Sequence, residues 1–174
     1  MVYAALYLAI AMVLPLIILR IPEIGKALSP MHIPVLLCGF MCGWPWGMAV
    51  GFIAPILASA AAVMPQPLIP NALAMSLEMA VYGAMTGWLY THLPNKKWAL
   101  YATLVSAMLV GRLVWGVSRA VLSGLAQTPF GFEAFIAGAF VNAVPGIILH
   151  IALIPVLVMA MERAGLSLNR KADH

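Results

Sequence analysis

Apolar residues run through the chain in long blocks, and short clusters of proline, glycine and charge interrupt them. The blocks predict helices over about Tyr3–Leu19, Ile33–Gly43, Trp46–Met64, Asn71–Tyr90, Trp98–Leu122 and Glu133–Met161. The second block is too short to cross a ~30 Å hydrocarbon core as a helix. Pro45 separates it from the third, so it is either a short protein-buried span or half of a re-entrant pair. Pro145 and Pro155 are expected to kink the sixth. No repeat and no linker divides the chain, so residues 1–174 are read as a single integral membrane domain. The first block has no basic stretch before it and no small-residue cleavage site after it, and is expected to be a span and not a signal peptide.

Composition narrows the class. The chain is 64% hydrophobic and 8% charged, whereas a soluble domain carries about 25% charged residues. A mean hydropathy of +1.04, spread along the whole length, excludes a soluble enzyme with one anchor, a nucleic-acid-binding domain and a disordered chain. The expected fold is an all-α membrane protein of six transmembrane helices. The net charge of +4 reads as topology. Lys96, Lys97, Arg163, Arg170 and Lys171 fall on one side of such a bundle and Arg20 and Lys26 on the other, which predicts that both termini are cytoplasmic. Cys38 and Cys42 are four apart on one helix face, too far for an unstrained disulfide, and are expected to be small packing residues; no metal site is predicted.

Ionisable side chains inside spans are costly and mark function or a paired partner. Glu78, Arg112, Arg119 and His150 are the four. Arg112 and Arg119 are two turns apart with Trp115 between them on one stripe. At 1.5 Å per residue, Glu78 and Arg112 reach similar depths and can meet. The pair is either a packing device or one wall of a polar site. Arg119, near the level of Asn71, either snorkels to headgroups or adds a surplus positive charge for a small anionic or strongly polar solute. Asn142 lies level with Glu78, as an interhelical hydrogen bond or a third polar contributor. His150 is expected to be a hydrogen-bonded packing residue. Met31 and His32, where the chain re-enters the membrane, either cap a pocket or form a rigid interfacial turn. The candidate substrate-binding set is therefore Arg119, Arg112, Trp115, Glu78, Asn71, Asn142, Met31 and His32. No paired-acid, Ser/His or metal constellation is present in the sequence, so no catalytic residue is predicted.

Small residues recur at spacing four. Gly39, Gly43, Gly47 and Gly51 straddle Pro45 and are expected to allow tight packing around a broken segment, not one continuous seam. Ala5 and Ala9 form an Ala-x-x-x-Ala pair on the first span, where another helix can approach closely.

Several of these features occur together in one family. The six-span layout, Ala5-x-x-x-Ala9, the run Ser29-Pro30-Met31-His32-Ile33-Pro34-Val35-Leu36-Leu37-Cys38-Gly39-Phe40 and Gly43-Trp44-Pro45-Trp46-Gly47 resemble the S components of energy-coupling factor (ECF) transporters. Gly111-Arg112-Leu113-Val114-Trp115-Gly116 and Ala137-Gly138-Ala139-Phe140-Val141-Asn142-Ala143-Val144-Pro145-Gly146-Ile147 do so too. The resemblance implies a multi-pass subunit of a bacterial cell membrane that binds a vitamin or precursor from outside. It then tips in the bilayer on a module of one transmembrane coupling subunit and two ATPases. Ala5 and Ala9 take the place of the family's coupling surface. No cofactor is expected in this chain; ATP and Mg belong to the partner ATPases, in keeping with the lack of a phosphate-binding loop around Gly25-Lys26. Surplus positive charge favours a carboxylate-bearing, pantothenate-like vitamin, with cobalamin, a pyrimidine-type vitamin precursor and a deazapurine nucleoside as other substrates. The competing class is a self-sufficient small secondary transporter or channel, which the gathering of charge in the outer half speaks against.

Overall fold

Lipid offers the backbone no hydrogen bonds, so an apolar chain has to satisfy its own amides within helices. In the computed structural model, which describes residues 1–18, 30–63, 68–94, 97–125, 131–138 and 144–166, every regular element among the described residues is helical. Helix α1 is Val2–Ile18, α2 His32–Cys42, α3 Trp44–Ala60, α4 Leu73–His92, α5 Lys97–Leu125, α6 the short Phe132–Ile136 and α7 Val144–Arg163; a π-type turn, Leu68–Ala72, leads into α4. Trp98–Leu125 and Gly146–Arg163 are long and apolar enough to cross a membrane, while α1, α2 and α3 are shorter apolar helices. The block expected as one helix from Glu133 to Met161 is described as two, α6 and α7, with 139–143 outside the described residues. Pro145 falls in the first turn of α7, where a missing N–H costs no helical bond. Pro155 lies inside that helix.

Helix α4 packs on α2, α3 and α5. Its buried positions Ala74, Glu78, Tyr82 and Thr86 recur every four residues, with Met79, Gly83 and Gly87 beside them, the stripe a helix presents to a core. Thr86 Oγ1 donates to the Tyr82 carbonyl at 2.8 Å, so its buried hydroxyl is satisfied within the helix.

Helix α2 is buried at His32 and from Pro34 through Met41. A helix that is apolar nearly all round belongs inside, and its length of about 16 Å is half a bilayer core. Gly43 ends it with φ 91°, a left-handed conformation that glycine adopts without a Cβ clash. The chain then reverses: Gly39 Cα lies 2.7 Å from where a Cβ on Gly47 would stand. Thus α2 is both protein-buried and folded back on α3.

The reversal sets the glycines in tight packing around the break, as expected, and adds one feature. From the side of α4 they form one surface. A Cβ on Gly39 or Gly47 would meet the Gly83 carbonyl at 2.6 Å, one on Gly51 the Met79 backbone, and one on Gly87 the backbone of Gly43 and Trp44. The bend at Gly43 brings both arms of the series onto a single neighbour.

Helix α1 packs on α2 and α3 through Ala4, Tyr7, Ala11 and Pro15. Ala5 and Ala9 are exposed on its other side. Tyr7 Oη donates to Met161 Sδ at 3.6 Å, and close by in sequence Tyr90 Oη donates to the Glu162 carboxylate. The start of α1 and the ends of α4 and α7 therefore share one end of the bundle, where the Tyr90 ring also stands edge-on to Phe40 at 5.2 Å. Of the cations behind the topology, only the Arg163 side chain lies among those described.

Backbone contact at the glycine surface leaves no room for a methyl group. Gly83→Ala is expected to destabilise the protein by about 1–3 kcal/mol, a fall of several degrees in Tm. Gly124→Ala, where nothing lies within 4 Å of the added Cβ, is the matched control. Thermal unfolding of both variants in detergent checks this; equal melting temperatures would contradict the packing account.

Candidate functional site

Glu78 is 1% exposed, and one of its oxygens gathers three side chains. Oε1 accepts from Tyr82 Oη at 2.6 Å, faces Arg112 Nη1 at 3.2 Å and lies 3.8 Å from His32 Nε2. Tyr82 is one helical turn beyond Glu78, which places both on the same face of α4. Its ring has room because α5 carries Gly111, where a Cβ would run into the Tyr82 ring. Arg112 follows immediately, so one α5 turn supplies both the space and the countercharge.

His32 comes to this carboxylate from the other side. It opens α2 and is buried, as is Met31 before it. The His32 ring lies 5.4 Å from the Tyr82 ring at 54° and stacks on His150 of α7 at 5.8 Å and 23°. Helices α2, α4, α5 and α7 therefore meet around one buried polar cluster. Both ring nitrogens of His150 and of His32, and Nε of Arg112, have no hydrogen-bond partner among the described residues. For His150 this departs from the hydrogen-bonded packing role expected of it.

Towards the other end of α5 the stripe continues through Trp115 to Arg119, both half-buried. A Cβ on Gly138 would meet the Trp115 ring at 2.6 Å, and one on Gly116 would meet the Phe135 ring, so the segment 131–138 covers this part of α5. Asn71 lies in the turn before α4, which also packs against α5, and its Oδ1 is buried without a hydrogen-bond partner among the described residues. Asn142 lies outside the described residues. The structure thus brings together Glu78, Arg112 and His32, puts Met31 next to them in the chain and buries it, and sets Trp115, Arg119 and Asn71 further along the helices. Ala5 and Ala9 stand apart on the outer face of α1.

Tyr82 escaped the sequence reading, though it carried a usable signal, spacing four from Glu78. His150 was singled out as an ionisable residue inside a span, but its neighbour His32 is far away in the chain and nothing in the sequence pairs the two. No group of three or more His, Cys, Asp or Glu side chains among the described residues is arranged to hold a metal ion.

An apolar helical bundle that closes around a buried carboxylate and guanidinium has the internal polar site expected of an integral membrane protein. The particular family follows from the sequence match: the chain belongs to the ECF transporter, substrate-specific component family, whose model covers residues 1–158. Its members are substrate-binding membrane subunits of transporters and are not enzymes. No curated protein and no solved structure matches the chain with significance.

Removing one partner of a buried ion pair strands the other. Arg112→Ala is expected to cost about 3–5 kcal/mol and Tyr82→Phe about 1–3 kcal/mol, both read as lowered Tm in detergent. The double replacement Glu78→Leu with Arg112→Met, which leaves no charge behind, is expected to recover much of the Arg112→Ala loss. An Arg112→Ala protein as stable as the parent would show that the pair does not hold the helices.

Proposed function

We infer that this chain is the high-affinity substrate-binding subunit of an ECF-type uptake transporter for a small water-soluble vitamin or precursor. The observation that carries the reading is the family match over residues 1–158. The chain is read as a multi-pass protein of a bacterial cell membrane, with six spans and both termini in the cytoplasm. The substrate enters an outward-facing pocket, where Arg119, Trp115 and Asn71 form the upper part and Glu78, Arg112, His32 and Met31 the floor, with Asn142, level with Glu78 by sequence, as a further polar contributor.

Charge argues for the substrate class. Arg119, half-buried on the same stripe as Arg112, is assigned to the ligand, while Arg112 faces Glu78 at 3.2 Å. A guanidinium grips a carboxylate at two points, which favours a pantothenate-like acid over cobalamin, a pyrimidine-type precursor or a deazapurine nucleoside. Delivery belongs to partners: a transmembrane coupling subunit and two ATPases that use ATP and Mg, with no cofactor in this chain. The coupling subunit docks on the outer face of α1, where Ala5 and Ala9 are exposed and a shallow groove is lined by Ala9, Ile10, Val13 and Leu14. Small side chains there allow a partner helix to approach closely, the main source of helix association in lipid.

Two experiments test these assignments. Arg119→Ala is expected to weaken pantothenate binding about ten- to a hundred-fold, the range of one charge-assisted hydrogen bond, with Arg119→Lys recovering part of the loss. Titration of detergent-purified variants alongside their Tm measures it; unchanged affinity in Arg119→Ala removes Arg119 from the site. In proteoliposomes the chain alone is expected to bind without concentrating substrate. With the coupling subunit and ATPases present, Ala5→Leu with Ala9→Leu is expected to abolish uptake at nearly unchanged affinity. Concentrative uptake by the isolated chain would sink the reading.

A further inference from the structure

Around the Glu78 carboxylate, five nitrogens on three side chains lack a hydrogen-bond partner among the described residues: Nδ1 and Nε2 of His32, Nδ1 and Nε2 of His150, and Nε of Arg112. They are not at the surface. His32 is 3% exposed, His150 1% and Arg112 9%. His32 Nε2 stands 3.8 Å from Glu78 Oε1, beyond hydrogen-bond length. Buried polar atoms are almost always served by a partner, so a group from outside these side chains is called for beside the stacked His32 and His150 rings.

Electrostatics decide what kind of group. The Glu78 carboxylate and the Arg112 guanidinium already compensate each other at 3.2 Å. A second anion here would lie against Glu78, and a cation against Arg112. An imidazole in its neutral form offers one N–H and one lone pair, and Arg112 Nε adds a donor. The complementary group is therefore uncharged and carries both an acceptor and a donor, as an amide or the lactam edge of a heterocycle does.

We propose that the His32–His150 pair is a second ligand subsite that reads an uncharged amide-type group of the transported solute. This rests on the substrate-binding reading above and deepens it. Arg119 is seven residues beyond Arg112, about 10 Å along the helix. The solute that fills both places carries a carboxylate towards Arg119 and an amide-type group towards the two rings.

The test uses the full chain in nanodiscs, labelled with ¹⁵N-histidine; four histidines are present, and single replacements assign their signals. It is titrated with pantothenate, with panthenol, which keeps the amide and replaces the carboxylate by an alcohol, and with β-alanine, which keeps the carboxylate end and has an ammonium in place of the amide. Pantothenate and panthenol are expected to shift the His32 and His150 signals and β-alanine to leave them in place. His150→Phe and His32→Asn are expected to weaken pantothenate and panthenol by the same factor, about ten- to a hundred-fold, whereas Arg119→Ala weakens pantothenate alone. Pantothenate binding to the parent with both ring signals unmoved would assign the nitrogens to internal water and overturn the subsite. Because that result needs no variant, misfolding of His150→Phe cannot mask it. Failure of all three compounds to bind also overturns it. Native mass spectrometry of solute that copurifies with the chain then separates the two levels: a bound solute without an amide-type group leaves the substrate-binding reading standing without this subsite. Absence of any bound solute, together with no binding of the vitamins and precursors considered above, removes both.

Discussion

A carboxylate inside an apolar bundle has to be answered from several directions at once, and the arrangement of the helices follows from how Glu78 is answered. Its Oε1 atom takes a hydroxyl from its own helix at 2.6 Å and a guanidinium from α5 at 3.2 Å, with an imidazole from α2 close by. Removing any of these leaves charge in a medium that cannot solvate it, a penalty of several kcal/mol per ion. The same requirement fixes where α2 begins, how α4 and α5 are aligned, and which face of α7 turns inward.

Around that polar centre the helices come together through what they lack. Gly39, Gly47, Gly51 and Gly83 bring backbones into direct contact, and Gly111 makes room for the Tyr82 ring. Hydrophobic transfer gives helices in lipid little reason to associate, so close backbone approach has to supply the attraction. The two devices depend on each other. Without the Gly43 bend, α2 and α3 could not both lie on α4, and His32 would not be carried to the level of Glu78.

Legibility in the sequence divided along the same physical line. Local periodicity was readable: the helical segments, the inward face of α4 and the Arg112–Trp115–Arg119 stripe follow from spacing alone. The Glu78–Arg112 encounter was readable too, because the two residues stand equally far along the chain from the turn joining α4 and α5, as do Asn71 and Arg119. Proline and glycine at 43–47 signalled a break, but not the sense in which the chain turns there. The reversal, and with it the joining of the glycines into one surface, depends on a single φ of 91°. The His32–His150 stack depends on that turn and on the path of α7, neither of which leaves a periodic trace.

Under the proposed function, the two faces of α1 let a binding centre and a docking surface coexist in so small a bundle. The inner face is tied in by Tyr7, whose hydroxyl reaches Met161 on α7, next in sequence to the carboxylate that accepts from Tyr90 of α4. A partner pressing on the outer face at Ala5 and Ala9 therefore presses on a helix coupled to the ends of α4 and α7, the helices that carry Glu78, Tyr82 and His150. Packed interiors transmit displacement because they compress little. Force applied at α1 would move the polar centre together with the rest of the bundle, without first opening the Glu78–Arg112 contact, since breaking a buried ion pair costs about 3–5 kcal/mol.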